Sequence, residues 1–250
     1  YVLYKYSVMF QALKLSLPRL HYKDELFFFG SCFAQNMASE LDKDKINVAC
    51  NPFGAMFHPQ AIAVVFNRIM DEKLYTPDDF FNWDGYWFCF EHHSSMAETK
   101  LAFYIDKSNA LLKETKRQLQ TASALFLTFG SAWGYSLNGQ VVANCHQQSS
   151  SLFRRNISTS DELYQSMHTA IQKVKTLNKD IAVILTVSPV RHLKDGVVEN
   201  QRSKSLLNLL CHQLSENINV CVYFPSYEFM IDELRDYSFY KRDKVHPNGS

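Results

Sequence analysis

Leu26-Phe27-Phe28-Phe29-Gly30-Ser31-Cys32-Phe33 is the stretch from which the fold is read. Four consecutive apolar residues suit a strand covered on both faces, as in a parallel sheet. Gly30 ends the run. Ser31 is a good helix N-cap, and Cys32 then begins a helix whose apolar stripe carries Phe33, Met37 and Leu41. A thiol at that place faces unpaired backbone N–H groups and the positive end of the helix dipole, which draw its pKa down from about 8.5. The same residues also suit a plain cap followed by a buried thiol acting as a small hydrophobe. Both readings stand at this point.

Working outward, short apolar runs at Ile46–Cys50, Ala124–Phe129, Ile181–Val187 and Val220–Phe224 are expected to be further strands of the same kind. Amphipathic stretches lie between them. Leu163, Met167, Ala170, Ile171 and Val174 share one helical face, and Leu206, Leu207, Leu210 and Leu214 share another. This alternation predicts an α/β fold: a three-layer α/β/α sandwich around a five-stranded parallel sheet, in a single domain over residues 1–250. The segment from about 74 to 103 breaks the rhythm. Its Asn82-Trp83-Asp84-Gly85-Tyr86-Trp87-Phe88 reads as a β-hairpin-like insertion.

Composition narrows the function. The chain has 250 residues, 26 of them basic and 25 acidic, so no basic surplus points to nucleic acid. No apolar run approaches the roughly 20 residues of a membrane span. Tyr1 to Phe10 is aromatic and short and lacks the pattern of a signal peptide. There are six cysteines and no CxxC pair, which argues against a cysteine zinc site. A chain with a full apolar core needs no staples, so the expected compartment is reducing and cytoplasmic. The adjacent His92 and His93 face opposite ways if extended, so no metal and no cofactor are expected. The chain ends four residues after His246; a helix closing the sandwich belongs after that point if the chain continues.

In open parallel sheets ligands bind beyond the carboxyl ends of the strands. Gly30-Ser31-Cys32 follows the first strand and Asn51-Pro52-Phe53-Gly54 the second. Gly130-Ser131-Ala132-Trp133 follows the third, and Ser188-Pro189-Val190-Arg191-His192 the fourth. Pro225-Ser226-Tyr227-Glu228 follows the fifth, with Asp243 and His246 beyond it. Asp243-Lys244-Val245-His246-Pro247 is a compact acid–base unit: the carboxylate can fix the imidazole tautomer, leaving the other nitrogen to take a proton from a nucleophile. Arg191 could hold an anionic substrate group. His146 and His192 could line a pocket, although a lone histidine is more often a bonded structural group.

Phe29-Gly30-Ser31-Cys32-Phe33-Ala34 resembles the signature that names the GSCFA family. Val142-Ala143-Asn144-Cys145-His146, Asn200-Gln201-Arg202-Ser203-Lys204 and the strand-end segments quoted above are similar to that family's other motifs. The resemblance runs from about Phe10 to the end. It implies kinship with the SGNH/GDSL hydrolases, a flavodoxin-like fold of esterases and acyl-transferring enzymes that use a covalent acyl-enzyme. Residue by residue, Asp243 and His246 match the Asp-x-x-His of that group, and Gly54 matches the glycine whose N–H helps form an oxyanion hole. Gly130 matches the third block, but Ala132 stands where the oxyanion asparagine would be, leaving Asn51, Asn144 or His146 to replace it. Gly-Asp-Ser becomes Gly30-Ser31-Cys32, which puts Cys32 in the nucleophile position, with Ser31 as the alternative. The resemblance implies a small-molecule or saccharide acyl substrate and hydrolysis or acyl transfer. A catalytically silent binding protein is the alternative.

Overall fold

The computed structural model describes residues 18–248. Tyr1 to Phe10 lies outside the described residues. The first crossover unit is β1 (Glu25–Gly30), α1 (Cys32–Lys43) and β2 (Asn47–Cys50), followed by α2 (Pro59–Met70). A hairpin, β3 (Phe81–Trp83) and β4 (Tyr86–Phe88), precedes α3 (Leu101–Thr121) and β5 (Ala124–Phe129). Then come β6 (Trp133–Leu137), β7 (Gln140–Val142) and β8 (Arg154–Ile157), and after them α4 (Ser160–Leu177) and β9 (Ala182–Val187). The last large elements are α5 (Val197–Asn217) and β10 (Cys221–Tyr223).

The main sheet has five strands in the order β10-β9-β5-β1-β2, and every pairing in it is parallel. Strand alternation sorts the aromatic run between the two faces. Phe27 and Phe29 enter the large core with residues of α2, α3, α4 and α5, while Leu26 and Phe28 join Ala34 and Ala38 of α1 on the other face. Phe28 pairs with Phe126 in register, and their rings stack with centroids 4.3 Å apart. Each such ring removed from water contributes about 1.5–3 kcal/mol. Phe28, Phe126, Ile184 and Phe224 also line an apolar groove beside α1. The architecture is the expected α/β/α sandwich, with strand ends within a residue or two of those read from the apolar runs.

The helix starts follow from local chemistry. Ser31 caps α1 by accepting the Phe33 N–H, Pro59 opens α2, and Thr159 with Glu162 forms a capping box on α4. The predicted hairpin is present. Asp84 and Gly85 both have positive φ, at 48° and 78°, as a two-residue turn of this hand requires.

Two units are not in the sequence-based expectation. One is α3, whose buried stripe includes Ser108 and Thr115 and so lacks a clean apolar period. The other is a three-stranded antiparallel sheet, β7-β6-β8. Its Asn138-Gly139 turn was a legible signal, with φ of 51° and 85°.

Candidate active site

The order of the parallel strands reverses between β1 and β5, the point at which sheets of this topology open a crevice. Gly30 ends β1 beside it. Its φ is 140°, and a Cβ there would overlap the Thr128 carbonyl oxygen, so only glycine lets the chain leave the sheet this way. The Gly30 N–H donates to Asn51 Oδ1 at 2.8 Å, and the Ser31 N–H donates to the Thr128 carbonyl at 3.1 Å. The turn is therefore bonded to the loop after β2 on one side and to β5 on the other.

Ser31 is completely buried, and its hydroxyl accepts the Phe33 N–H at 3.3 Å. It is a cap. Cys32 is partly exposed at the first position of α1. Its thiol is raised above its ordinary value, the reverse of the shift expected from the helix terminus. Burial is the largest cause; the N–H groups of Cys32 and Phe33 and the charges of Lys204 and Lys241 pull downward without overcoming it.

Asp243 and His246 form the pair that their spacing suggests. His246 Nδ1 lies 2.7 Å from Asp243 Oδ2, while Oδ1 accepts the N–H groups of Val245 and His246 at 2.9 and 3.0 Å. The His246 ring and those two amides hold Asp243 far below the usual carboxylate range. With Nδ1 carrying the proton, Nε2 is left as a base. The loop is tethered by Arg191, whose N–H donates to the Val245 carbonyl at 3.1 Å and whose Nη1 donates to the Lys244 carbonyl at 3.2 Å. Arg191 also lies near the Tyr237 and Tyr240 rings, at 5.8 and 6.0 Å. The loop and the first turn of α1 share one end of the sheet. Lys241, whose N–H donates to the His246 carbonyl, exerts its charge on Cys32, and Phe33 and Pro247 line one cleft.

Asn51 has a positive φ of 44° and is 6% exposed. Its Oδ1 is taken by Gly30, but among the described residues its buried Nδ2 has no partner. A buried amide donor without a partner is rare, and this one belongs to the residue that accepts the Gly30 N–H at the turn before Cys32.

The other expected donors are engaged elsewhere. The Gly54 N–H closes its own turn onto the Asn51 carbonyl at 2.8 Å, and its α-carbon packs against His93, so it corrects to a turn residue. The Gly130 N–H donates to the Phe57 carbonyl at 2.8 Å. His146 has both ring nitrogens bonded, Nε2 to the Cys89 carbonyl at 2.8 Å and Nδ1 to Ser94 Oγ at 3.0 Å. Asn144 caps that turn through its Oδ1 on the His146 N–H at 2.8 Å. His146 thus ties the segment after β7 to the chain that follows β4, and Asn144 caps the His146 turn, so both are engaged away from the Cys32 turn. The His192 N–H donates to Asn200 Oδ1 at 2.8 Å, and its ring meets the edge of Phe57. The Ala132 side chain is buried, and its N–H accepts no new role because it donates to Ser203 Oγ at 2.8 Å.

Lys204 is the residue that sequence reasoning missed. It lies on the buried face of α5, three positions before Leu207 and seven before Cys211. A lysine in helical register with Leu207, Cys211 and Leu214 was the available signal. Its Nζ donates to the Gly130 and Ser188 carbonyls, at 2.8 and 2.7 Å.

The protein is a parallel α/β sandwich in which the Cys32 turn, the Asp243–His246 pair and the Asn51 amide all lie beyond the carboxyl ends of strands. Its family follows from the match of residues 25–250 to the GSCFA family model: the chain belongs to the GSCFA family. No curated protein matches the sequence.

Proposed function

We propose that this protein carries out acyl chemistry through Cys32, by hydrolysis or transfer of an ester or thioester acyl group. The observation that carries the reading is the pairing of Asp243 with His246 at 2.7 Å, on a loop at the same end of the sheet as the Cys32 turn. His246 takes the thiol proton, and Asp243 holds the ring and stabilises the imidazolium. The Cys32 sulfur bonds to the acyl carbon, and the carbon–heteroatom bond of the donor breaks. The leaving group takes the proton from His246. Water or an acceptor hydroxyl then attacks the thioester, His246 removes its proton, and the carbon–sulfur bond breaks.

Asn51 Nδ2 serves as an oxyanion donor in place of the side chain absent at Ala132. Cys32, rather than Ser31, is the nucleophile because the Ser31 hydroxyl is fully buried on the helix cap. A saccharide acceptor suits the cleft lined by Arg191, Gln201, Tyr227, Tyr237 and Tyr240, where rings and hydrogen-bonding groups lie together.

A silent binding protein is favoured by one observation, the upward shift of the Cys32 thiol by burial. Intact-mass analysis after exposure to aryl ester and thioester probes tests the two. Acyl adducts that need Cys32 and His246 but not the Ser31 hydroxyl support the enzyme. A full set of probes leaving no adduct on wild-type protein supports the binding protein.

A further inference from the structure

The apolar groove beside α1 has a volume of about 220 Å³. Its floor is the α1 side of β1, β5 and β9, where the Phe28 and Phe126 rings stack almost flat, at 7°. Its wall is the Phe33, Met37 and Leu41 stripe of α1. Every lining residue except Thr128 and Thr186 is apolar, none is charged, and Thr186 Oγ1 is spent on the Phe224 carbonyl at 2.7 Å. Met37 is 41% exposed, so the groove opens to water, and an open apolar patch of this kind marks a binding surface. The groove is continuous with the candidate site. Phe33 and Phe224 line both it and the cleft that holds Pro247, the neighbour of His246. Phe33 directly follows Cys32. The groove thus starts at the Cys32 turn and leads away along α1, where Phe33 to Leu41 covers about 12 Å of helix. It shares no lining residue with the cleft of Arg191 and Tyr240, so a donor chain and an acceptor have separate places.

We propose that this groove takes the alkyl chain of the acyl donor, which makes the substrate class a fatty acyl ester or thioester. At roughly 30 Å³ for each water-sized group, it has room for about seven methylenes. A saccharide or a charged chain is excluded, because its polar groups would lose water and find no partner there. An alkyl chain loses nothing by leaving water and gains about 0.8 kcal/mol, or about fourfold in affinity, for each methylene fully covered. The proposal rests on the acyl reading above for the identity of the donor, and the preference of the groove for an alkyl chain is also tested without acyl chemistry.

The first measurement is single-turnover acylation of Cys32 by acetyl, butanoyl, hexanoyl, octanoyl and dodecanoyl N-acetylcysteamine thioesters, read by intact mass. The rate should rise about two- to fourfold with each methylene and level off near eight carbons. Met37→Trp, which fills the groove midway, should cut the octanoyl-to-acetyl rate ratio by about tenfold or more. Acyl adducts that form at one rate for every chain length overturn the proposal and leave the acyl reading standing; the groove is then closed by protein, either a second copy or the chain itself. The second measurement uses wild-type protein and no acyl group. Alkyl methanethiosulfonates transfer their S-alkyl group to a thiolate as methanesulfinate leaves. The octyl-to-methyl rate ratio, read on each cysteine peptide, should be about tenfold or more higher at Cys32 than at Cys145, which is also partly exposed but lies outside the groove. Equal ratios at the two cysteines overturn the proposal. A higher ratio at Cys32, with no adduct from any thioester, would remove the acyl reading and leave the groove as an alkyl site.

Discussion

Asn51→Asp separates the donor role of Asn51 from its structural one. The variant keeps an oxygen for the Gly30 N–H, which Asn51 Oδ1 accepts at 2.8 Å, and keeps a residue type that tolerates the positive φ of 44°. Only the unpartnered Nδ2 is lost. Loss of one oxyanion donor reduces acyl transfer by about 10²–10³-fold. Asn51→Ala removes the acceptor too and leaves a buried backbone N–H unpaired. That costs about 1–3 kcal/mol of stability, with about 1–2 kcal/mol more for a left-handed alanine. Single-turnover acylation by a thioester probe gives the rate, and urea denaturation gives the stability. A carboxylate near sulfur also disfavours the thiolate, so each acylation rate is divided by the rate of iodoacetamide alkylation, which needs the thiolate but no oxyanion donor. Asn51→Asp should lower this ratio strongly and Asn51→Ala should lower both ratio and stability. An Asn51→Asp ratio within about threefold of wild type would refute the donor role, against the hundredfold expected from a lost donor.

Three further outcomes follow from the geometry. Asp243→Asn should reduce acylation by about 10⁴-fold, by favouring the wrong imidazole tautomer, with little change in the urea midpoint because the pair is on an exposed loop; an unchanged rate would remove Asp243 from the mechanism. Arg68 is 6% exposed and bonds Glu91 and Asp79, each at 2.7 Å. Arg68→Met leaves these carboxylates without their cation and should cost about 3–5 kcal/mol in urea unfolding; a loss below about 1 kcal/mol, the level of a surface pair, contradicts this. Burial lowers His58 to about 4 and His92 to about 3 from 6.5, so the stability tied to their neutral forms is complete above pH 6.5 and is lost as pH falls through the folded values. For His58 this amounts to about 3 kcal/mol near pH 4, and hydrogen exchange should show opening around the β3–β4 hairpin and β6 before the parallel sheet; uniform exchange at pH 7 and 4.5 would contradict it.

The parallel sheet was legible because each strand is buried on both faces and so writes itself as an unbroken apolar run, as Ala124–Phe129 does. The Asp243–His246 pair was legible because both partners lie within one loop. The oxyanion assignments were less so. Gly54 and Gly130 carry the expected residue type, but their N–H groups are committed by turns and contacts that depend on the folded path, to Asn51 and Phe57 respectively. His146 likewise matched a motif, while its actual partners, Cys89 and Ser94, lie more than fifty positions away in sequence. The Cys32 shift was misjudged because a helix terminus is a local feature, and burial depends on the whole fold. Lys204 was hidden in plain pattern, since its periodicity assigns it to the interior and its charge argues the opposite.

The Gly30-Ser31 turn is bonded to the loop after β2 and to β5, while the Asp243–His246 loop is closed on itself by the bridge between Tyr240 and Pro247 and tied to the chain after β9 through Arg191. The two halves of the candidate site therefore differ in how tightly they are tied into the fold. A change in the floor alters folding and chemistry together, so few substitutions there are tolerated. A change in the outer loop alters chemistry almost alone. Under the proposed acyl chemistry, a library confined to residues 237–247 is the economical place to search for altered specificity, because the rest of the chain need not be rebuilt.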